Sequence, residues 1–234
     1  MGGTVEMAIR MADINGNPYV GVFCRLIGSV ALCPMETPDE FILQMSEVMG
    51  VEAVRTAAGS TNLHGSLIAA NSRGLIIPYF YAREDVKKCF GSSSLEGDEP
   101  RVEVSEDHHT AWGNNVLLSE KLALVNPDLL AGSLKLIEDV FDVEVIKGTI
   151  AGIKTIGSIA VLNSKGMIIH PKATSSDMDR LRELFKVDPY ISTANFGSPY
   201  LGASMVANDS GALVGSRSSG VELNRIENSL DIVN

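Results

Sequence analysis

The sequence predicts an α/β body built from five copies of one unit, each a strand, a hairpin and a helix of about 45 residues, closed into a ring. Three observations predict it. A hairpin-like segment recurs along the chain, a helical apolar period follows it, and a strand-like stretch near the N-terminus stands where the last copy needs one.

The clearest hairpin is "GSIAVLNSKGMIIHP", from Gly157 to Pro171, an apolar run, a polar turn and a second apolar run stopped by proline. It is echoed by "GSLIAANSRGLIIP" from Gly65, "GASMVANDSGALVG" from Gly202, "GNNVLLSEKLALVNP" from Gly113 and "GVFCRLIGSVALCP" from Gly21. The opening glycines are therefore 44, 48, 44 and 45 residues apart. Asn71, Asn163 and Asn208 stand at one turn position, and Gly74, Gly166 and Gly211 at another. They read as turn residues, the glycines taking positive φ. The longest step contains the serine-rich stretch Gly91 to Pro100, which reads as an inserted surface loop.

After the hairpin the apolar period lengthens. Leu130, Leu134, Ile137 and Phe141 follow helical spacing, as do Met178, Leu181 and Phe185, and Leu223, Ile226 and Leu230. Thr37-Pro38-Asp39-Glu40 and Ser219 to Glu222 have capping-box spacing, and Asp128 and Asp177 put negative charge near helix starts. Strand-prone runs come next: Val51 to Arg55, Val143 to Lys147 and Val187 to Ile191 begin 14, 14 and 15 residues before the following glycine. No such run follows the helix that ends near Asp231. Met7 to Met11 has the right distance from Gly21 to serve instead, and a closed ring needs no capping repeats. The chain is thus expected to be a single domain over 1–234, with repeats 13–56, 57–104, 105–148, 149–192 and 193–234 and with 7–12 closing the ring.

Composition narrows the function. Of 234 residues 45% are hydrophobic, enough for a substantial core, yet the longest apolar stretches, such as Gly74 to Tyr81, are far too short to span a bilayer. With no signal-peptide pattern, the expectation is a soluble, cytoplasmic protein with no membrane partner. Cys24, Cys33 and Cys89 form an odd set without metal or redox spacing and are expected to be buried free thiols. A net charge of −10 excludes a broad, non-specific nucleic-acid surface and suits a basic protein partner.

Catalytic patterns are missing. His64 has no spaced partner, His170 reads as a turn or channel-edge residue, and His108 and His109, if on a strand, would point to opposite faces and could not share a metal. Gly148, Gly152 and Gly157 do not make a dinucleotide fingerprint, and no phosphate-loop lysine follows. Asn208 heads a glycosylation sequon, but the repeat already accounts for it as a turn residue. No catalytic residue, cofactor or metal is expected.

The five units, with "GNNVLLSEKLALVNPDL", "VEVIKGTIAGIKTIGSIAVLNSKGMIIHP" and "STANFGSPYLGASMVANDSGALVG", resemble the translation initiation factor 6 family of archaea and eukaryotes from about Arg10 to Leu230. The resemblance implies the pentein fold, a five-fold pseudosymmetric αβ-propeller around a small channel. It implies binding to the large ribosomal subunit at its subunit-joining face, chiefly to a universal large-subunit ribosomal protein near the sarcin-ricin loop, by a monomer that prevents premature joining and assists maturation. The chain departs from the family in an extra segment, Met1 to Met7, and lacks the longer tail of eukaryotic members, which points to the archaeal branch. Related pentein enzymes modify guanidino groups with a late cysteine nucleophile. No cysteine follows Cys89, so that alternative is disfavoured.

The opening glycines and their neighbours are expected to line one end of the ring. The candidate partner-binding set is Gly21, Gly65, Ser66, Trp112, Gly113, Asn114, Asn115, Gly157, Ser158 and Gly202. The side chains just after the glycines are Val22, Ser66, Asn114, Ser158 and Ala203, and only Asn114 stands beside the sole tryptophan. An amide beside a large aromatic suits recognition, although the same residues also read as a turn cap and a core side chain. In the family resembled, the Gly-Asn matching Gly113 and Asn114 lies at the ribosomal-protein contact.

Overall fold

The computed structural model describes residues 8–91 and 99–232; the Met1 to Met7 extension and most of the serine-rich 91–100 stretch lie outside the described residues. The chain begins with β1 (Ile9–Ala12) and continues through α1 (Val20–Phe23), β2 (Arg25–Ile27), β3 (Val30–Pro34), α2 (Asp39–Met49) and β4 (Glu52–Thr56). The order then repeats as α3 (His64–Leu67), β5 (Ala69–Ala70), β6 (Gly74–Pro78), α4 (Arg83–Gly91) and β7 (Arg101–Ser105). A third copy holds α5 (Trp112–Asn115), β8 (Val116–Leu118), β9 (Leu122–Val125), α6 (Ala131–Phe141) and β10 (Glu144–Lys147). A fourth holds α7 (Ile156–Ile159), β11 (Ala160–Leu162), β12 (Met167–Ile169), α8 (Ser175–Phe185) and β13 (Pro189–Ile191). The last has α9 (Leu201–Ser204), β14 (Met205–Ala207), β15 (Ala212–Gly215) and α10 (Gly220–Ser229).

These strands form five three-stranded sheets of one pattern: a hairpin whose second strand is flanked in parallel by the strand after the helix. The last sheet borrows its third strand from the start of the chain. β1 pairs in parallel with β15, from Ile9 opposite Ala212 to Ala12 opposite Gly215. The middle strands β3, β6, β9, β12 and β15 are buried along their whole length, as parallel-paired strands covered on both faces require.

Each opening glycine is the second residue of a one-turn helix and not the start of a strand. The run read as a hairpin arm from Gly157 divides into α7 and the three-residue β11. A single turn is too short to show periodicity and too costly to form alone, so tertiary contact decides it. That contact is visible at the second residue of α1, α3, α5, α7 and α9. A Cβ on Gly65 would lie 1.9 Å from the Gly21 carbonyl oxygen, one on Gly113 2.0 Å from Gly65 O, and one on Gly157 2.1 Å from Gly113 O. The cycle continues with Gly202 at 1.9 Å from Gly157 O and returns with Gly21 at 2.1 Å from Gly202 O. Only glycine fits at any of the five places. The short helices touch in the same order, α1 with α3, α3 with α5, α5 with α7, α7 with α9, and α9 with α1.

The turn glycines also serve close approach, which corrects the expectation of positive φ at Gly74, Gly166 and Gly211. A Cβ on Gly166 would meet Ser229 O at 1.9 Å, and one on Gly211 would meet Val48 O at 2.5 Å. Beside them the asparagines join neighbouring units. Asn71 Nδ2 donates to Phe141 O (3.1 Å), Asn163 Nδ2 to Leu230 O (2.8 Å) and Asn208 Nδ2 to Met49 O (2.8 Å), each at the end of a long helix in the next unit. Their Oδ1 atoms meanwhile accept from the N–H groups of their own turns.

The long helices lie across the seams between sheets; α2 packs on β1, β4 and β15, and α6 on β6, β7 and β10. The apolar core is accordingly divided into five clusters, among them Phe41, Met45 and Met49 with Leu213, and Trp112, Ile137 and Phe141 with Ile76. Capping boxes form at Thr174 with Asp177 and at Ser219 with Glu222. The one expected at Thr37 does not: Pro38 is itself the N-cap, and the buried Thr37 hydroxyl has no partner. Asp128 precedes α6 and pairs with Lys154 at 2.7 Å, while Leu130 is the α6 N-cap and half exposed.

Gly65→Ala is expected to destabilise the protein by about 1–3 kcal/mol or more, because the methyl would meet rigid backbone. Gly132→Ala, where nothing lies within 4 Å of the new methyl, is expected to stabilise α6 by about 0.5–1 kcal/mol. Denaturant unfolding of the two variants side by side checks this; a loss below about 0.5 kcal/mol for Gly65→Ala would contradict the contact.

Candidate functional site

The five short helices touch in a closed cycle and present equivalent positions around one cavity, lined by residues of all five units. The residue before each glycine, Val20, His64, Trp112, Ile156 and Leu201, is fully buried. Trp112 therefore occupies a core position shared by every unit, which corrects its assignment as a recognition side chain. Its indole is 0% exposed, and Nε1 has no partner. Asn115 is structural as well: Nδ2 donates to Ala111 O (2.9 Å), and Oδ1 accepts from Asn126 Nδ2 (2.7 Å). Gly21, Gly65 and Gly113 are buried, and Gly157 and Gly202 half-buried, so the glycines shape this end without offering side chains to a partner.

The residues after the glycines, Val22, Ser66, Asn114, Ser158 and Ala203, are all partly exposed. Ser158 Oγ is turned back onto Thr155 O at 2.6 Å. The Asn114 amide makes no hydrogen bond among the described residues, so its donors and acceptor are free for a partner. Two positions before each glycine stand the helix N-caps Tyr19, Leu63, Ala111, Thr155 and Tyr200. Tyr19 and Tyr200, on the touching helices α1 and α9, are 37% and 52% exposed. They supply the aromatic surface that Trp112 does not, and reading two places back from every repeat glycine would have found them.

The histidines are tied into the frame. His64 is buried, with Nδ1 2.9 Å from the Tyr81 hydroxyl and Nε2 3.3 Å from Thr56 O, and burial pushes its pKa down. His170 Nδ1 accepts from Lys172 N at 3.0 Å; burial and then the Lys172 charge lower its pKa. His108 and His109 lie in a loop, not on a strand, and both bring Nδ1 to Asp107 Oδ1, at 3.3 and 3.0 Å. The two rings lie 4.0 Å apart and do not diverge as they would on a strand. Asp107 itself is committed to holding the start of α6: it accepts from His109 N at 2.9 Å, from Leu130 N at 3.4 Å and from the Ser133 hydroxyl. Burial alone would raise its pKa, but these donors prevail and lower it to about 2. Cys24, Cys33 and Cys89 are free and buried, and burial, then Cys33, pushes the Cys24 thiol's pKa up, away from a reactive thiolate.

Comparison with known proteins identifies the chain's relatives. The eIF-6 family model matches residues 9–229. The chain belongs to the eIF-6 family. It is 36% identical over 222 residues to the translation initiation factor 6 of Methanosarcina mazei, covering 95% of this chain and 98% of that one. It is 32% identical over 227 residues to that of Pyrococcus abyssi (97% and 100%) and 35% identical over 221 residues to that of Methanocaldococcus jannaschii (94% and 96%). Such factors are not enzymes. No helix among the described residues is long and apolar enough to cross a membrane.

Three buried or partly buried carboxylates hold this family member's helix starts: Asp107, Asp177 and Glu222. Burial opposes the charged form of each, but hydrogen-bond donors outweigh it, and all three pKa values are lowered. A carboxylate whose pKa is lower folded than unfolded stabilises the fold fully above the unfolded value, about 4, and loses that contribution as pH falls through the folded value. Little change from these groups is expected between pH 7 and 5, with a fall in stability from about pH 4 towards about 2. Asp107→Asn is expected to lower stability at pH 7 and to shrink the acid-side fall; thermal melts across that range measure both.

Proposed function

We propose that the chain is a translation initiation factor that binds the large ribosomal subunit at its subunit-joining face, prevents premature association with the small subunit and assists large-subunit maturation. The observation that carries this reading is family membership over residues 9–229. We read the five-sheet array as the pentein αβ-propeller and the protein as a cytoplasmic monomer. Its principal partner is a universal large-subunit ribosomal protein near the sarcin-ricin loop.

The mechanism is occlusion. A closed frame occupying the joining face excludes the small subunit by overlap, so the effect depends on residence time and on no chemical step. The net charge of −10 favours a basic protein surface and speeds encounter with it, so association should slow as salt rises. Contact is assigned to the end carrying Ser66, Asn114 and Ser158, where the Asn114 amide is unengaged.

Gradient sedimentation with separated ribosomal subunits tests the reading. Co-migration with the large subunit is expected, and co-migration with the small subunit alone would overturn it. Asn114→Ser is expected to leave stability within about 1 kcal/mol while weakening large-subunit binding roughly five- to thirtyfold. An unchanged dissociation constant for the folded variant would move the contact elsewhere.

A further inference from the structure

Four residues after each opening glycine, the chain places Arg25, Ala69, Leu117, Val161 and Val206. All five line the central channel, a cavity of roughly 170 Å³. Four of these equivalent places are apolar and one holds a guanidinium. Gly113 makes room for it, since a Cβ there would lie 2.3 Å from Arg25 Nη2. Arg25 Nη2 donates to the Gly65 carbonyl, while Nε is buried and has no partner. No carboxylate among the described residues pairs with this side chain. Burial alone lowers its pKa to about 10, which still leaves it charged at neutral pH.

A half-buried cation with one carbonyl acceptor and a buried, idle Nε–H is incompletely compensated. The chain provides no counter-charge, yet it leaves space beside the charge. A water needs about 10–15 Å³ of such space, so the channel can hold several waters or a polyatomic ion with its hydration. The guanidinium presents planar paired donors that match two oxygens of a tetrahedral oxyanion.

We propose that the central channel is a binding site for one small inorganic oxyanion, phosphate in class, with Arg25 as its charged ligand. The cavity adjoins the ring end assigned to the ribosome, since Gly21, Gly113, Gly157 and Gly202 line it, and the anion acts as a counter-charge that stabilises the hub.

Isothermal calorimetry of the full chain with inorganic phosphate, in a buffer of matched ionic strength whose anion is bulky and organic, tests this directly. One phosphate per chain is expected, with a rise in melting temperature as phosphate is added. Arg25→Met keeps the side chain's length without its charge. It is expected to bind phosphate about ten- to hundredfold more weakly and to lose the thermal response. In phosphate-free buffer it should melt no lower than the unaltered protein, because the uncompensated cation is gone. Absence of binding to the unaltered protein would overturn the proposal without recourse to any variant, and so would an equal phosphate response in folded Arg25→Met.

Discussion

The structure depends on a backbone contact repeated five times: the α-carbon of one glycine set against the carbonyl oxygen of the glycine one unit before it. A second carbonyl, three residues further along the earlier unit, closes on the same α-carbon; for Gly65 it belongs to Cys24 and for Gly157 to Val116, each 2.6 Å from where a Cβ would be. Packed this tightly, the five one-turn helices fix the distance and angle from unit to unit, and the fifth step returns to the first. The step from Gly65 to Gly113 is 48 residues, and in sequence its excess falls between α4 and β7, outside the described residues.

A second contact locks the rim. In Asn71, Asn163 and Asn208 one side chain orders its own turn through Oδ1 and caps the next unit's helix through Nδ2. Carbonyls at a helix end need such donors, and the neighbouring glycine lets the two backbones come close enough. At the equivalent place in the third unit Ser119 accepts from its own turn, from Lys121 N at 3.2 Å and Leu122 N at 3.0 Å. Its shorter side chain serves that turn alone among the described residues. The acidic partner differs by one methylene between seams: Ser72 is held by Glu120 and Ser164 by Asp209.

Spacing and period carried much of this architecture. The repeat from Gly21 to Gly202 located every unit, and the N-terminal stretch ending at Met11 corresponds to β1, which pairs with β15 as ring closure requires. What could not be read was the reason for particular residues. A glycine needed for φ and a glycine needed for close approach look alike in one sequence, so spacing alone predicts the wrong cause for Gly166. Trp112 looked like a recognition side chain because tryptophan is rare; its four counterparts, Val20, His64, Ile156 and Leu201, are all buried and mark the position as core. The move of the α2 N-cap from Thr37 to Pro38 is hidden in the sequence because the proline ring's fixed φ suits both the N-cap and the first helical position.

The same hub links fold to function. Rigid glycine contacts hold the side chains on either side of them in a fixed array; under the function proposed above, a partner would meet a preorganised surface and spend little ordering it. This requires that the ring be closed in solution, with no frayed end. Native-state hydrogen exchange tests closure most directly, by comparing the β1–β15 ladder, Ile9–Ala12 against Ala212–Gly215, with the interior β9–β10 ladder, Leu122–Val125 against Glu144–Lys147. A closed ring predicts opening free energies for the two ladders that agree within about 1 kcal/mol. Exchange of the β1–β15 ladder by a separate opening several kcal/mol lower, while the interior ladder stays protected, would contradict it.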